Sequence, residues 1–100
     1  MAYTLRFHEA AKQEFVDAVV WYESQQTGLG KKFITDFESA LERLSVNPTY
    51  YSKISKQFRQ VKVENFPFTI VYEVYQRKSV IHIAAVHHTK RHPKKRLRKL

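Results

Sequence analysis

Apolar positions change period twice along this hundred-residue chain. Tyr3, Leu5 and Phe7 alternate with Thr4 and Arg6, the two-residue repeat of a short strand that His8 ends. From Glu9 onward Ala11, Phe15, Ala18, Val19 and Tyr22 recur at the spacing of one helical face. Glu9 suits the positive end of the helix dipole. Val16, Val20 and Trp21 widen the stripe beyond what one packing surface needs, so this helix should meet two neighbours or one neighbour and a binding partner. Thr27-Gly28-Leu29-Gly30 ends it, because Gly28 can take the left-handed conformation that closes a helix without opposition from a Cβ. Phe33, Phe37, Ala40, Leu41 and Leu44 mark a second helix, which Asn47-Pro48 stops. So short a connection predicts an antiparallel helical hairpin.

The period then returns to two. Residues 49–57 read as irregular, anchored by Tyr50, Tyr51 and Ile54. Val61 and Val63 oppose Gln60, Lys62 and Glu64; Phe68, Ile70, Tyr72 and Val74 oppose Thr69, Val71, Glu73 and Tyr75. In a last strand from Val80 to about His88, Ile81, Ile83 and Ala85 oppose His82, Ala84, Val86 and His88. Short turns between these strands predict an antiparallel meander with one face under the helices: an α+β domain spanning 1–100, with a basic tail at about 90–100. An apolar content of 43% is ample for one core in a chain of this length.

Charge sharpens the picture. Lys90, Arg91, Lys94, Lys95, Arg96, Arg98 and Lys99 are seven of the eighteen cations, which leaves eleven against nine acids in the body. Such a tail attracts polyanions or acidic protein segments, or simply stays solvated. The absence of cysteine excludes disulfides and thiolate metal sites and fits a reducing compartment. No apolar run reaches the roughly 18–20 residues that span a bilayer, and no signal peptide opens the chain. The reading is therefore a cytoplasmic protein with no membrane partner.

The early Tyr-x-Leu-x-Phe strand, the Ala-x-x-Glu-Phe helix and the hinge Trp21-Tyr22-Glu23-x-Gln25-x-x-Gly28-Leu29-Gly30-x-x-Phe33 together resemble the RelE/ParE superfamily of toxins. Asn47-Pro48, Arg59, Phe66-Pro67-Phe68, Ile70-Val71-Tyr72, Ile83 to His88 and Arg91-His92-Pro93 extend the likeness over nearly the whole chain, most closely to the ParE-like, plasmid-stabilisation branch. The resemblance implies a βααβββ fold, the growth-inhibiting toxin half of a type II toxin–antitoxin module, and a cognate antitoxin that wraps the toxin. It implies no cofactor. Some members cleave mRNA on the ribosome as endoribonucleases; others poison DNA gyrase and cut no RNA.

Attack by a 2′-OH needs a base, an acid and cations to hold the phosphate as charge builds. The resemblance places such groups on the sheet face away from the helices, where alternation here predicts Lys62, Thr69, Glu73, His82 and His88. Lys62 matches a lysine of a ribonuclease member, but Thr69 stands where ribonuclease members carry a phosphate-gripping arginine. A ribonuclease would draw on Lys62, His88, His87, Arg59 and Arg91, with His88 near Lys62 across the sheet. The alternatives are histidines that merely end a strand, Lys62 as a solvated residue, and Arg59 paired to an acid such as Glu73. Metal binding is disfavoured, because adjacent His87 and His88 point to opposite faces of a strand. Glu9, Glu14 and Asp17 read as surface charge. Trp21 and Tyr22, with Lys90, Arg91, Lys94, Lys95, Arg96 and Arg98, are the candidate partner-binding residues. Gyrase poisoning leads, ribosome-dependent RNA cleavage follows, and a non-toxic nucleic-acid-binding domain is third.

Overall fold

The computed structural model describes residues 3–90. Strand β1 (Thr4–Phe7) leads into helices α1 (Glu9–Gln25) and α2 (Leu29–Val46). Strands β2 (Arg59–Val63), β3 (Phe68–Tyr75) and β4 (Val80–His88) follow. His8 links the first two elements. Its side chain caps α1 by accepting from the Ala10 N–H at 3.0 Å, and its own N–H donates to the Ile83 carbonyl at 2.9 Å.

The hinge between the helices is built on Gly28, Gly30 and Glu23. Gly28 sits at φ +91°, as its place at the break requires. With no side chain there to cap α2, the Glu23 carboxylate reaches across and accepts from both Gly28 N and Gly30 N at 3.0 Å. Gly30 answers a different need. A Cβ on it would lie 2.9 Å from Glu23 Oε1 and 3.0 Å from the Val19 carbonyl, so α1 and α2 approach too closely for any larger residue. The Glu-x4-Gly-x-Gly spacing is thus the geometry of one cap.

Four strands form one sheet in the order β1-β4-β3-β2. The β2–β3–β4 meander is antiparallel as the alternation predicts, while β1 lies parallel to β4, Leu5 opposite Ile81. The helix pair covers one face. Phe33 is fully buried there, its ring 5.4 Å from Tyr22, 5.1 Å from Phe66 and 5.3 Å from Phe68, joining helix to helix and both to the sheet. Burial of each such ring contributes about 1.5–3 kcal/mol.

Alternation fails in β4. Val71 pairs with Ala85 but Tyr72 pairs with Ile83, so Ala84 is an extra residue on that strand. Beyond it every side chain changes face. Val86 joins Ile81 and Ile83 in the core under the helices, while Ala85 packs with Val71 and Phe58 on the other side. The expected pairing of Ala85 with Ile83's face, and of Val86 and His88 with His82's, is therefore reversed.

Two substitutions test this frame. Gly30→Ala should cost about 1–3 kcal/mol of stability in urea unfolding, because neither the Val19 carbonyl nor the capping carboxylate can yield without loosening the hairpin. Tyr72 supplies a pH test. It is fully buried and donates from its hydroxyl to the Pro48 carbonyl at 2.7 Å. Burial pushes its phenol up from 10.0 to about 12, against a smaller downward pull from Arg59. A raised native pKa means its contribution is whole below pH 10 and is lost as pH rises towards 12. At about 1.4 kcal/mol per unit this amounts to about 2–3 kcal/mol. Tyr72→Phe should flatten the decline in stability across that window; an unchanged slope would show that another group carries it.

The open sheet face and its two flanks

Away from the helices the sheet divides into three zones. The first is a cross-strand row, Lys62 opposite Thr69 and Thr69 opposite His87. Lys62 is exposed, but Thr69 and His87 are only 8% and 9% exposed, so Lys62 alone presents charge freely to solvent here. Thr69 Oγ1 is buried with no hydrogen-bond partner among the described residues.

The middle zone is apolar. Phe58 and Ile54, from the segment before β2, lie over Val71, Ala84 and Ala85 and close this part of the face. In the third zone the Glu73 carboxylate accepts from the Tyr75 hydroxyl at 2.8 Å and from Gln57 Nε2 at 3.3 Å. The hydrogen bond to Glu73, followed by burial, raises the Tyr75 phenol above its ordinary pKa. His82 Nδ1 lies 4.0 Å from Glu73, too far for a hydrogen bond, and is itself buried without one. The His8 ring meets His82 edge-on, centroids 6.1 Å apart.

The structure does not bring the candidate catalytic residues together. The extra residue in β4 turns His88 to the helix side, its ring 5.0 Å from Phe68, and puts His87 in the row with Lys62 instead. Arg59 stands opposite Tyr72 on the helix side and donates to the Tyr51 carbonyl at 2.7 Å. It is neither beside Lys62 on the open face nor paired with Glu73. Arg91, Lys94, Lys95, Arg96 and Arg98 lie outside the described residues. Among the described residues no group of three or more metal-ligating side chains occurs.

On one flank, α1 and the end of β4 enclose a cavity of about 400 Å³ between Trp21, Ala18, Glu14, His88 and Lys90. Trp21 is 60% and Val20 62% exposed, so the excess width of the α1 stripe is turned outward. Tyr22 instead faces the core, its ring 4.8 Å from Phe66. Sequence reading missed Glu14. It is not simple surface charge, since its Oε1 accepts from the Val86 N–H at 2.9 Å, on the part of β4 that β1 is too short to cover. The opposite flank, where α2 meets β2, holds another surprise. Tyr51 and Ile54 are half-buried as anchors, but Tyr50 is 73% exposed and packs edge-on against Tyr51 with centroids 5.0 Å apart. Only the polar residues around Tyr50 hinted at this.

Phe58→Ala should remove the lid of the apolar zone at a cost of about 3–5 kcal/mol in urea unfolding. A loss below about 1 kcal/mol would mean that Phe58 does not close that face.

Comparison with known proteins accords with this geometry. The sequence profile described as ParE toxin of type II toxin-antitoxin system, parDE, matches residues 5–93. No curated protein matches the chain significantly. Among solved structures, a chain of the chromosomal ParDE system of P. aeruginosa superposes with a TM-score of 0.70 at 16% identity, covering 89% of this chain and 98% of that one. A chain of the intact E. coli RelBE toxin-antitoxin complex gives a TM-score of 0.66 at 20% identity, over 90% of this chain and 100% of that one. A mutant of the E. coli toxin RelE in the free state gives 0.66 and 20%, over 90% and 86%. At such identities the structures establish the fold, and the profile, matched over most of the chain, establishes the family: this chain belongs to the ParE toxins of type II toxin–antitoxin systems, within the RelE/ParE superfamily.

Proposed function

We propose that this toxin inhibits growth by poisoning DNA gyrase, as the toxic half of a plasmid-stabilisation module, and that a cognate antitoxin neutralises it. The observation that carries this reading is the make-up of the open face. Stabilising a cleaving phosphate calls for several preorganised cations around an accessible base. Here Lys62 stands beside a buried threonine and a buried histidine, Phe58 and Ile54 close the middle, and Arg59 is committed to the Tyr51 carbonyl. Such a surface suits recognition of a protein better than phosphoryl chemistry.

The antitoxin reading draws on the α1 flank, where exposed Trp21 and Val20 offer apolar area beside Lys90. An apolar helix or strand with acidic neighbours fits that surface and the basic tail that follows. A gyrase target places the protein in the cytoplasm. Among the described residues, no helix is long and apolar enough to cross a membrane.

A second reading, ribosome-dependent mRNA cleavage, has one observation in its favour: the Lys62–Thr69–His87 row, in which His87 rather than His88 would move the proton. Purified toxin added to gyrase supercoiling and DNA-cleavage reactions, and in parallel to a translating extract, separates the two. The gyrase reading expects lost supercoiling and accumulated DNA breaks with intact mRNA. Cut mRNA with gyrase untouched overturns it.

A further inference from the structure

The backbone of β2 is unfinished on its outer side. Gln60 N–H donates away from β3 to the Ser52 carbonyl at 3.0 Å, and the Lys62 carbonyl accepts from Arg43 Nη2 at 2.9 Å. Residues 60 and 62 therefore turn their peptide groups outward. Residues 51–53 run beside the first half of this edge, with Lys53 bridging Arg59. Past Gln60, among the described residues, no strand lies against it, and a single arginine side chain takes the carbonyl that a neighbouring strand would take.

A groove follows this edge. A cavity of about 700 Å³ lined by Arg43, Tyr51, Lys62 and Thr69 adjoins one of about 440 Å³ lined by Val46 and Tyr50, and the two share Arg43 and Tyr51. Val46 is 79% and Tyr50 73% exposed, so the far wall is apolar. From Arg43 to Val63 the chain carries five cations and no acid, Arg59 among them turned to the helix side, while Glu42 and Glu64 line the far ends of the two cavities. Lys53, Lys56 and Lys62 are all exposed.

We propose that this flank is where the toxin grips its target: an extended, acidic segment of gyrase adds as a strand to the outer edge of β2, in line with Ser52 and Lys53. Main-chain hydrogen bonds at Lys62 supply register as Arg43 gives up the carbonyl, Tyr50 and Val46 receive an apolar side chain, and the lysines select acidic neighbours. A nucleic-acid strand would use the cations but has no main-chain groups in register with the edge and no use for Val46. The antitoxin has the other flank, where Trp21 lies. This inference rests on gyrase being the target.

The test uses the full-length toxin and purified gyrase, reading affinity and amide hydrogen exchange together. Gyrase should protect the amides of residues 60–64, and Tyr50→Ala and Lys62→Glu should each weaken binding about ten-fold or more. Both side chains are exposed, so circular dichroism should show the variants folded. Unchanged gyrase affinity in both variants overturns the proposal. So does protection confined to α1, and so does protection of residues 60–64 by a short single-stranded oligonucleotide but not by gyrase. If the unaltered toxin binds gyrase nowhere, the target reading itself fails and this site falls with it; binding without protection of β2 defeats the site alone.

Discussion

One surplus residue governs what this sheet displays. Side chains alternate strictly along a strand, so inserting Ala84 between the pairs Val71–Ala85 and Tyr72–Ile83 exchanges the faces of everything after it. Without the bulge, Val86 would leave the core and stand opposite Thr69 in place of His87, and His88 would move to the open face one pair further along. With it, Val86 packs under the helices and His88 stacks on Phe68. Residue 84 is small because two successive residues there must fit beneath Phe58 and Ile54 on one side of the sheet.

From that point the division of surfaces follows. The aromatic contacts of Phe33 seat the helical hairpin on one face, and the Glu23 cap with its two glycines fixes how closely the helices run. Helix α1 then borders the β4 end and α2 borders β2, which puts Trp21 and Tyr50 on separate flanks. The surfaces proposed for the antitoxin and for the target thus lie apart, each bordered by a different helix.

Much of this was legible in the residues. Periodicity located both α-helices and all four strands, Gly28 announced its left-handed turn, and Asn47-Pro48 ended α2. These signals are local, and local geometry suffices to read them. What escaped was set at a distance. No pattern in Ile83-Ala84-Ala85-Val86 marks a bulge, because its cause is the partner strand and the lid above it. Glu14 looked like solvent-facing charge because its partner, the Val86 amide, lies seventy-two residues away in sequence. Arg59 was a phosphate-binding candidate from its place in a motif, whereas strand parity and the Tyr51 carbonyl hold it on the helix side. Tyr50 and Tyr51 read alike in sequence, and only the packing of the loop turned one outward.

The most direct measurement is of side-chain proximity around the two adjacent histidines in solution, by nuclear Overhauser effects on labelled protein. The account predicts contacts from the His88 ring to Phe68 and from the His87 ring to Thr69. Contacts from the His88 ring to Thr69 or Lys62 would contradict it, since they would put His88 on the open face and restore strict alternation along β4.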